Sequence, residues 1–193
     1  DSASGTITKV RDVHTQAVFS LRGKIPNVCG KKKTEIYKNA ELYNMMVALG
    51  IESDISGLRY GKVIIATDAD NDGFHIRILL MTYFLSFFED LILSGRLFIL
   101  ETPLFRVRNK QKTVYCYSEA SRDEAVAQMR GAEVTRFKGL GEIDPREFGQ
   151  FIGDEMKLVP VSISSMNEAH KAVAFYMGNN TPERRDFIVE NLI

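Results

Sequence analysis

Apolar positions recur along this chain at two spacings, and the alternation between them predicts its architecture. Short runs rich in β-branched or aromatic residues at 17–21, 63–66, 97–100 and 104–107 have the length and composition of strands. Elsewhere apolar residues return every three or four places, the stripe of a helix with one buried face. One such stripe (Ile36, Ala40, Tyr43, Met46 and Val47) predicts a helix over 35–49, ended by Gly50. Another, with no breaker inside it, predicts a long helix over 74–93 closed by Ser94 and Gly95. A first helix is expected over 2–13. Later, 113–117 can return on 104–107 as a hairpin, Ser118 can cap a helix over 119–130, and 132–137 is extended. Pro145 opens a helix reaching 152, and two more helices are expected over 166–177 and 182–192. The fold class is α/β, a core of alternating strands and helices followed by a mixed α+β tail.

The junction after the run at 63–66 carries the strongest chemical signal. Lys62-Val-Ile-Ile-Ala-Thr67 leads directly into Asp68-Ala-Asp70-Asn-Asp72-Gly73, which places carboxylates at alternate positions behind a buried strand. Strand ends in open α/β sheets are where ligand sites collect. Clustered carboxylates repel and raise one another's pKa unless a cation neutralises them. Hard oxygen donors without a His or Cys set suit Mg²⁺, with Mn²⁺ as a substitute, rather than zinc. An EF-hand loop also reads D-x-D-x-D-G, but its twelfth position must be a bidentate Glu, and here it is Leu79. Haloacid-dehalogenase-type phosphatases place an Asp-x-Asp after a strand as well. Their motif usually continues with Thr or Val where this chain has Asp72. An acidic surface turn is the bland alternative, and it explains a pair of Asp residues better than three.

Composition narrows the picture further. At 193 residues and 45% hydrophobic, the chain can bury one good core and a small second one. Its 25 basic and 25 acidic residues cancel, so nucleic-acid binding requires local clustering of the basic ones or a partner that supplies most phosphate contacts. Cys29 and Cys116 are far apart in sequence and read as cytosolic thiols rather than a metal pair. The run at 78–88 is too short to span a bilayer and is followed by Glu89 and Asp90, so no membrane partner is expected.

Four stretches, in order, resemble one family. Thr67-Asp-Ala-Asp-Asn-Asp-Gly-Phe-His-Ile-Arg77 closely resembles the magnesium-binding motif of the TOPRIM domain in type IIA DNA topoisomerases. Asp1-Ser-Ala-Ser-Gly5 is similar to the end of that family's E-G-D-S-A-x-G motif, and Leu21-Arg-Gly-Lys-Ile-Pro-Asn27 to its L-R-G-K-I-x-N segment. Arg136-Phe-Lys-Gly-Leu-Gly-Glu142 resembles the R-Y/F-K-G-L-G-E segment that follows the TOPRIM core. The match is to the C-terminal part of the bacterial B subunit. Thr102-Pro-Leu-Phe-Arg-Val-Arg108, Tyr115-Cys-Tyr117 and Phe151-Ile-Gly153 resemble topoisomerase IV B subunits more than gyrase ones. A primase or nuclease with the same acids would lack the 136–142 segment.

The resemblance implies a Rossmann-like, mostly parallel sheet with flanking helices over 1–110. Over 111–193 it implies a tail that packs on the TOPRIM core and contributes to DNA and A-subunit contacts. It implies Mg²⁺ at Asp68 and Asp70, a second cation position at Asp70 and Asp72, and a catalytic Glu two residues before Asp1, just ahead of this chain. Glu142 is a poor substitute for that Glu, because it belongs to a different motif. The implied reaction is double-strand DNA cleavage and religation by a tyrosine of the A subunit during ATP-dependent decatenation or relaxation. The cation stabilises charge on the leaving 3′-oxygen. None of the seven tyrosines here is then a nucleophile. The ATP site lies in a further N-terminal region, and the assembly is an A2B2 heterotetramer on double-stranded DNA in the cytoplasm, at the nucleoid. Negative supercoiling by a gyrase, or docking to DNA and the A subunit without catalysis, are the alternatives.

Arg22, Lys24, His75, Arg136 and Lys138 are the expected DNA contacts, and Asp1 and Arg22 the positions nearest a quinolone-type inhibitor pocket. Each has a bland counterpart. Arg22 and Lys24 can be ordinary surface residues, His75 a satisfied structural histidine, and Arg136 and Lys138 can pack the tail against the core. Lys31-Lys-Lys33 reads more simply as a solvated loop, and His14 and His170 as structural.

Overall fold

The computed structural model describes residues 2–192. In chain order the elements are α1 (Ser2–Val10), α2 (Lys33–Ile36), α3 (Ala40–Leu49), β1 (Val63–Ile65), α4 (Asn71–Phe87), α5 (Glu89–Leu93), β2 (Leu97–Glu101), β3 (Phe105–Arg108), β4 (Thr113–Cys116), α6 (Glu119–Gln128), β5 (Glu133–Arg136), α7 (Pro145–Ile152), β6 (Lys157–Pro160), α8 (Met166–Met177) and α9 (Thr181–Glu190). They fall into two compact units. One gathers the stretch ending at Arg22 with Ile64–Ile76 and Phe98–Val159, and the other gathers Gly23–Val63, Arg77–Leu97 and the stretch from Pro160 onward.

The first unit holds two three-stranded sheets, ordered β1-β2-β6 and β4-β3-β5. In the second sheet β3 pairs antiparallel with both neighbours, with Phe105 opposite Cys116 and Arg136. Successive strand side chains point to opposite faces. Phe105 and Val107 are therefore buried together with Cys116, Ala125 and Met129, which brings α6 onto that face. Arg106 and Arg108 occupy the opposite face and meet Glu147 on α7, at 3.0 and 2.6 Å. Helix α7 starts sharply, because the Asp144 carboxylate accepts the Arg146 N–H and Pro145 sits in the first turn. Its apolar stripe, Phe148, Phe151 and Ile152, joins Leu100, Phe137, Leu140 and Ile143 in a core that also receives Ile7 and Val10 from α1.

The second unit is helical, and its interior includes Ile36, Leu42, Met46, Ile51, Tyr83, Phe84 and Leu91. The Tyr83 hydroxyl donates to the Leu42 carbonyl at 3.1 Å, satisfying a polar group that is otherwise sealed from water. Gly50 ends α3 with φ 75°, the left-handed turn that a side chain disfavours. No helix among the described residues is long and apolar enough to cross a membrane.

Several sequence expectations change here. Residues 17–21 form no strand, because both sheets have their strands supplied from elsewhere and Phe19 remains exposed. The single helix expected over 35–49 is two, because the Asn39 side chain accepts the Glu41 and Leu42 N–H groups and starts α3 anew. The long helix begins earlier, at Asn71, and is interrupted at Phe88, whose φ of −143° is not helical. Strand β6 lies in a stretch for which the sequence predicts no strand.

Candidate metal centre

Strand β1 delivers the chain to Asp68, which is half-buried, while Asp70 and Asp72 are exposed. The turn that follows folds back tightly. Gly73 is buried against it, and a Cβ at that position would overlap the Asp68 carbonyl oxygen, so only glycine fits. Asp70 is the residue from which α4 springs. Its carbonyl accepts the Phe74 N–H at 2.9 Å, and its side-chain Oδ1 accepts the Gly73 N–H at 2.7 Å. That is the geometry of a helix N-cap, and Asp72 adds a second negative charge in the first turn, where the helix dipole favours it.

The first acid is held from a distant part of the chain. The Leu140 N–H donates to Asp68 Oδ1 at 2.7 Å, and the Ala69 N–H donates to the Lys138 carbonyl at 3.0 Å. The bend that makes these contacts is itself tied, since the Lys138 N–H donates to Glu142 Oε2 at 2.9 Å and the Glu142 N–H to the Gly139 carbonyl at 3.1 Å. Phe137, Leu140 and Ile143 anchor the same bend in the core, with Leu140 only 2% exposed.

The donor chemistry of the turn fits a hard divalent cation: carboxylate oxygens, at a strand end, on a backbone fixed by hydrogen bonds. One oxygen of Asp68 and one of Asp70 are engaged by backbone N–H groups. The Oδ2 atom of each has no such donor among the described residues. Among the described residues, no group of three or more His, Cys, Asp or Glu is placed to hold a metal ion.

The remaining expected residues are more scattered. His75 is exposed on the second turn of α4, and Arg136 is exposed at the end of β5 with its guanidinium 5.9 Å from the Phe105 ring centre. The Lys138 side chain is exposed, although its backbone is tied on both sides. Arg22 and Lys24 are exposed on the segment between α1 and α2. Asp1 lies outside the described residues.

Sequence reasoning missed the residues that hold the site together. Gly139, Leu140 and Glu142 are visible in the sequence only as parts of a motif, and the useful hint is an apolar residue, Leu140, between two glycines. The Glu147 cluster was missed as well. Burial pushes the Glu147 carboxyl up, but hydrogen bonds from Tyr115, Arg106 and Arg108 outweigh this and hold it below the usual glutamate range. Burial also pushes the Tyr83, Tyr115 and Tyr117 hydroxyls up.

Comparison with known proteins places these features in context. The Toprim domain family matches residues 1–102, and the family described as the DNA gyrase B subunit carboxyl terminus matches residues 129–189. The B subunit of DNA topoisomerase 4 from Borreliella burgdorferi is 63% identical over 195 residues, covering 100% of this chain and 33% of that protein. The B subunit of DNA gyrase from Spiroplasma citri is 39% identical over 201 residues, covering 99% of this chain and 31% of the relative. The higher identity to the topoisomerase 4 protein agrees with the reading of residues 102–108, 115–117 and 151–153. This chain spans about a third of the length of these curated relatives. The crystal structure of the Plasmodium falciparum topoisomerase II DNA-binding, cleavage and re-ligation domain shares the fold, with a TM-score of 0.81 at 24% identity over 100% of this chain and 28% of that one.

Proposed function

Because this chain belongs to the Toprim family, we propose that it is the metal-binding part of the B subunit of a type II DNA topoisomerase, of the topoisomerase IV kind. It supports double-strand DNA cleavage and religation during ATP-dependent decatenation or relaxation. The observation that carries this reading is the acidic turn after β1, fastened through Asp68 and Ala69 to the bend at 138–140.

In this reading Asp68 and Asp70 hold one Mg²⁺, or Mn²⁺ in its place, together with a Glu ahead of Asp1, while Asp70 and Asp72 serve a second position. A divalent cation bound there supplies positive charge to phosphate oxygens. The protein's own contribution is to keep the carboxylates in place. Asp70 does so as the cap of α4, and Asp68 through the Leu140 N–H. Residues 1–110 act as the metal-binding part, and residues 111–193 as the tail that contacts DNA and the A subunit. Arg22, Lys24, His75, Arg136 and Lys138 contact DNA, and Arg22 borders the pocket for quinolone-type inhibitors.

The nucleophile is a tyrosine of the A subunit. The tyrosines whose hydroxyls are pushed up here by burial, Tyr83, Tyr115 and Tyr117, are poor candidates for attack. ATP binds in another region of the B subunit, and the assembly is an A2B2 heterotetramer acting on the nucleoid in the cytoplasm.

The test uses the B subunit at the length of its curated relatives, assembled with its A partner. Mg²⁺-dependent DNA cleavage is compared for the parent and Asp70→Ala, with folding followed by circular dichroism. Cleavage is expected to disappear in the variant while the fold persists. Equal cleavage would refute the metal role. Retained A-subunit and DNA binding, with cleavage indifferent to every one of the acids, would favour a docking module instead.

A further inference from the structure

We propose that the bend at 138–142 is a positioning element of the metal centre: Gly139 and the Leu140 amide set the Asp68 carboxylate, and Glu142 sets the bend. This rests on the reading of Asp68 as a metal ligand.

Gly139 supplies the first argument. Its φ of −122° and ψ of 152° are extended backbone that any residue adopts, so conformation does not demand a glycine there. Space does. A Cβ at position 139 would lie 3.3 Å from Asp68 Oδ1, 3.4 Å from its Cγ and 3.6 Å from Oδ2. The neighbour that a side chain at 139 would displace is the carboxylate of the first acid of the turn. An alanine there would push it by a few tenths of an ångström while leaving the backbone unstrained.

The hydrogen bonds supply the second. Leu140 N–H reaches Oδ1 at 2.7 Å, which restrains the rotation of the carboxylate and so sets the direction its oxygens face. The adjacent Ala69–Lys138 bond at 3.0 Å holds the two backbones side by side, so the carboxylate and its donor cannot drift independently. Glu142 contributes at one remove. Its Oε2 accepts the Lys138 N–H, closing the bend on itself at 2.9 Å. A mere packing role for the bend is already met by Phe137, Leu140 and Ile143, which are buried in the core. Packing alone explains neither the Oδ1 contact nor the missing side chain at 139.

Groups that orient metal ligands typically change metal affinity by about 10- to 100-fold when removed. The experiment measures Mn²⁺ binding by electron paramagnetic resonance on the relative-length B subunit assembled with its A partner, and the Mg²⁺ concentration for half-maximal DNA cleavage in the same samples. Gly139→Ala and Glu142→Ala are each expected to weaken Mn²⁺ binding roughly tenfold. Cleavage should recover at high Mg²⁺, and the melting temperature should change little. Glu142→Gln keeps an oxygen for the Lys138 N–H and is expected to bind Mn²⁺ like the parent. Asp68→Asn separates the two ideas. If it weakens Mn²⁺ binding and Gly139→Ala does not, the positioning role is overturned and the metal site stands. If Asp68→Asn binds Mn²⁺ like the parent, the metal reading itself fails and the positioning role with it. A Gly139→Ala protein that melts early and that high Mg²⁺ does not rescue would reduce the bend to a structural element and overturn the proposal.

Discussion

In the proposed function Asp70 does two things at once, as helix cap and as cation ligand, and the two can be separated by substitution. As the cap of α4 it needs only an oxygen that accepts the Gly73 N–H, at 2.7 Å. As a ligand for a cation it needs a negative charge. Asparagine supplies the first and not the second, and alanine supplies neither. Replacing a capping Asp by Ala costs about 1 kcal/mol, whereas Asn caps about as well as Asp. Loss of the charge beside the helix N-terminus costs Asn a further ~0.3–1 kcal/mol, offset in part by relief of repulsion from Asp68 and Asp72. In a chain of this size 1 kcal/mol corresponds to roughly 2–4 °C in melting temperature. Asp70→Ala is therefore expected to melt about 2–4 °C early and Asp70→Asn within about 1 °C of the parent in metal-free buffer. Both should fail to support Mg²⁺-dependent cleavage in the assembled enzyme. Calorimetric scans in EDTA alongside cleavage assays make the comparison. If Asn destabilises as much as Ala, the charge rather than the cap holds the turn. If the Asn variant cleaves DNA normally, the ligand role is wrong whatever the scans show.

Three further outcomes follow from other parts of the molecule. Glu147 has its folded pKa depressed by Tyr115, Arg106 and Arg108, so its stabilising contribution is present above the ordinary glutamate value, about 4.3, and is lost as pH falls through the lower folded value. Glu147→Gln should therefore lower stability at neutral pH and flatten the loss on acidification below about pH 4; identical acid profiles for the two proteins would contradict this. Gly50→Ala must accept a left-handed backbone, costing about 1–2 kcal/mol, and a Cβ that overlaps the Gly57 carbonyl oxygen. Urea unfolding should show a loss beyond the backbone cost alone, and an unchanged midpoint would mean the α3 end rearranges freely. The Lys138 side chain is exposed while its backbone does the holding, so Lys138→Ala should leave the fold intact and weaken DNA binding across sequences. The salt dependence should fall by about one phosphate contact, and an unaltered salt slope would remove Lys138 from the DNA interface.

What the sequence disclosed depends on how far apart the interacting residues lie. Strand β1, helix α7 and the Ser118 start of α6 announce themselves within a few residues, through β-branched runs, a proline and a capping side chain. The break at Asn39 was equally local, but the apolar stripe runs across it and hides the cap. The interruption at Phe88 was hidden too, because an aromatic in an apolar run looks helical until its neighbours are known. Of the candidate centre, the carboxylates were legible as a pattern. Their support was not: the donor to Asp68 lies 72 residues away, and nothing in local propensity encodes that pairing. Strand β6 belongs to the same class, since the short segment at 157–160 becomes a strand only when β2 is there to receive it.

The same separation has a consequence for how the protein comes into being. Chains emerge from the ribosome N-terminus first, and closing a long loop carries an entropic cost before its contacts are made. Asp68, Asp70 and Asp72 are all synthesised well before Gly139 and Leu140 exist. Until the bend arrives, Asp70 can already cap its helix, because Gly73 is only three residues on, but Asp68 has no donor waiting. A growing chain, or one released before residue 140, therefore carries all three acids without the anchor of the first. The anchor of this turn is made late, by residues 138–142.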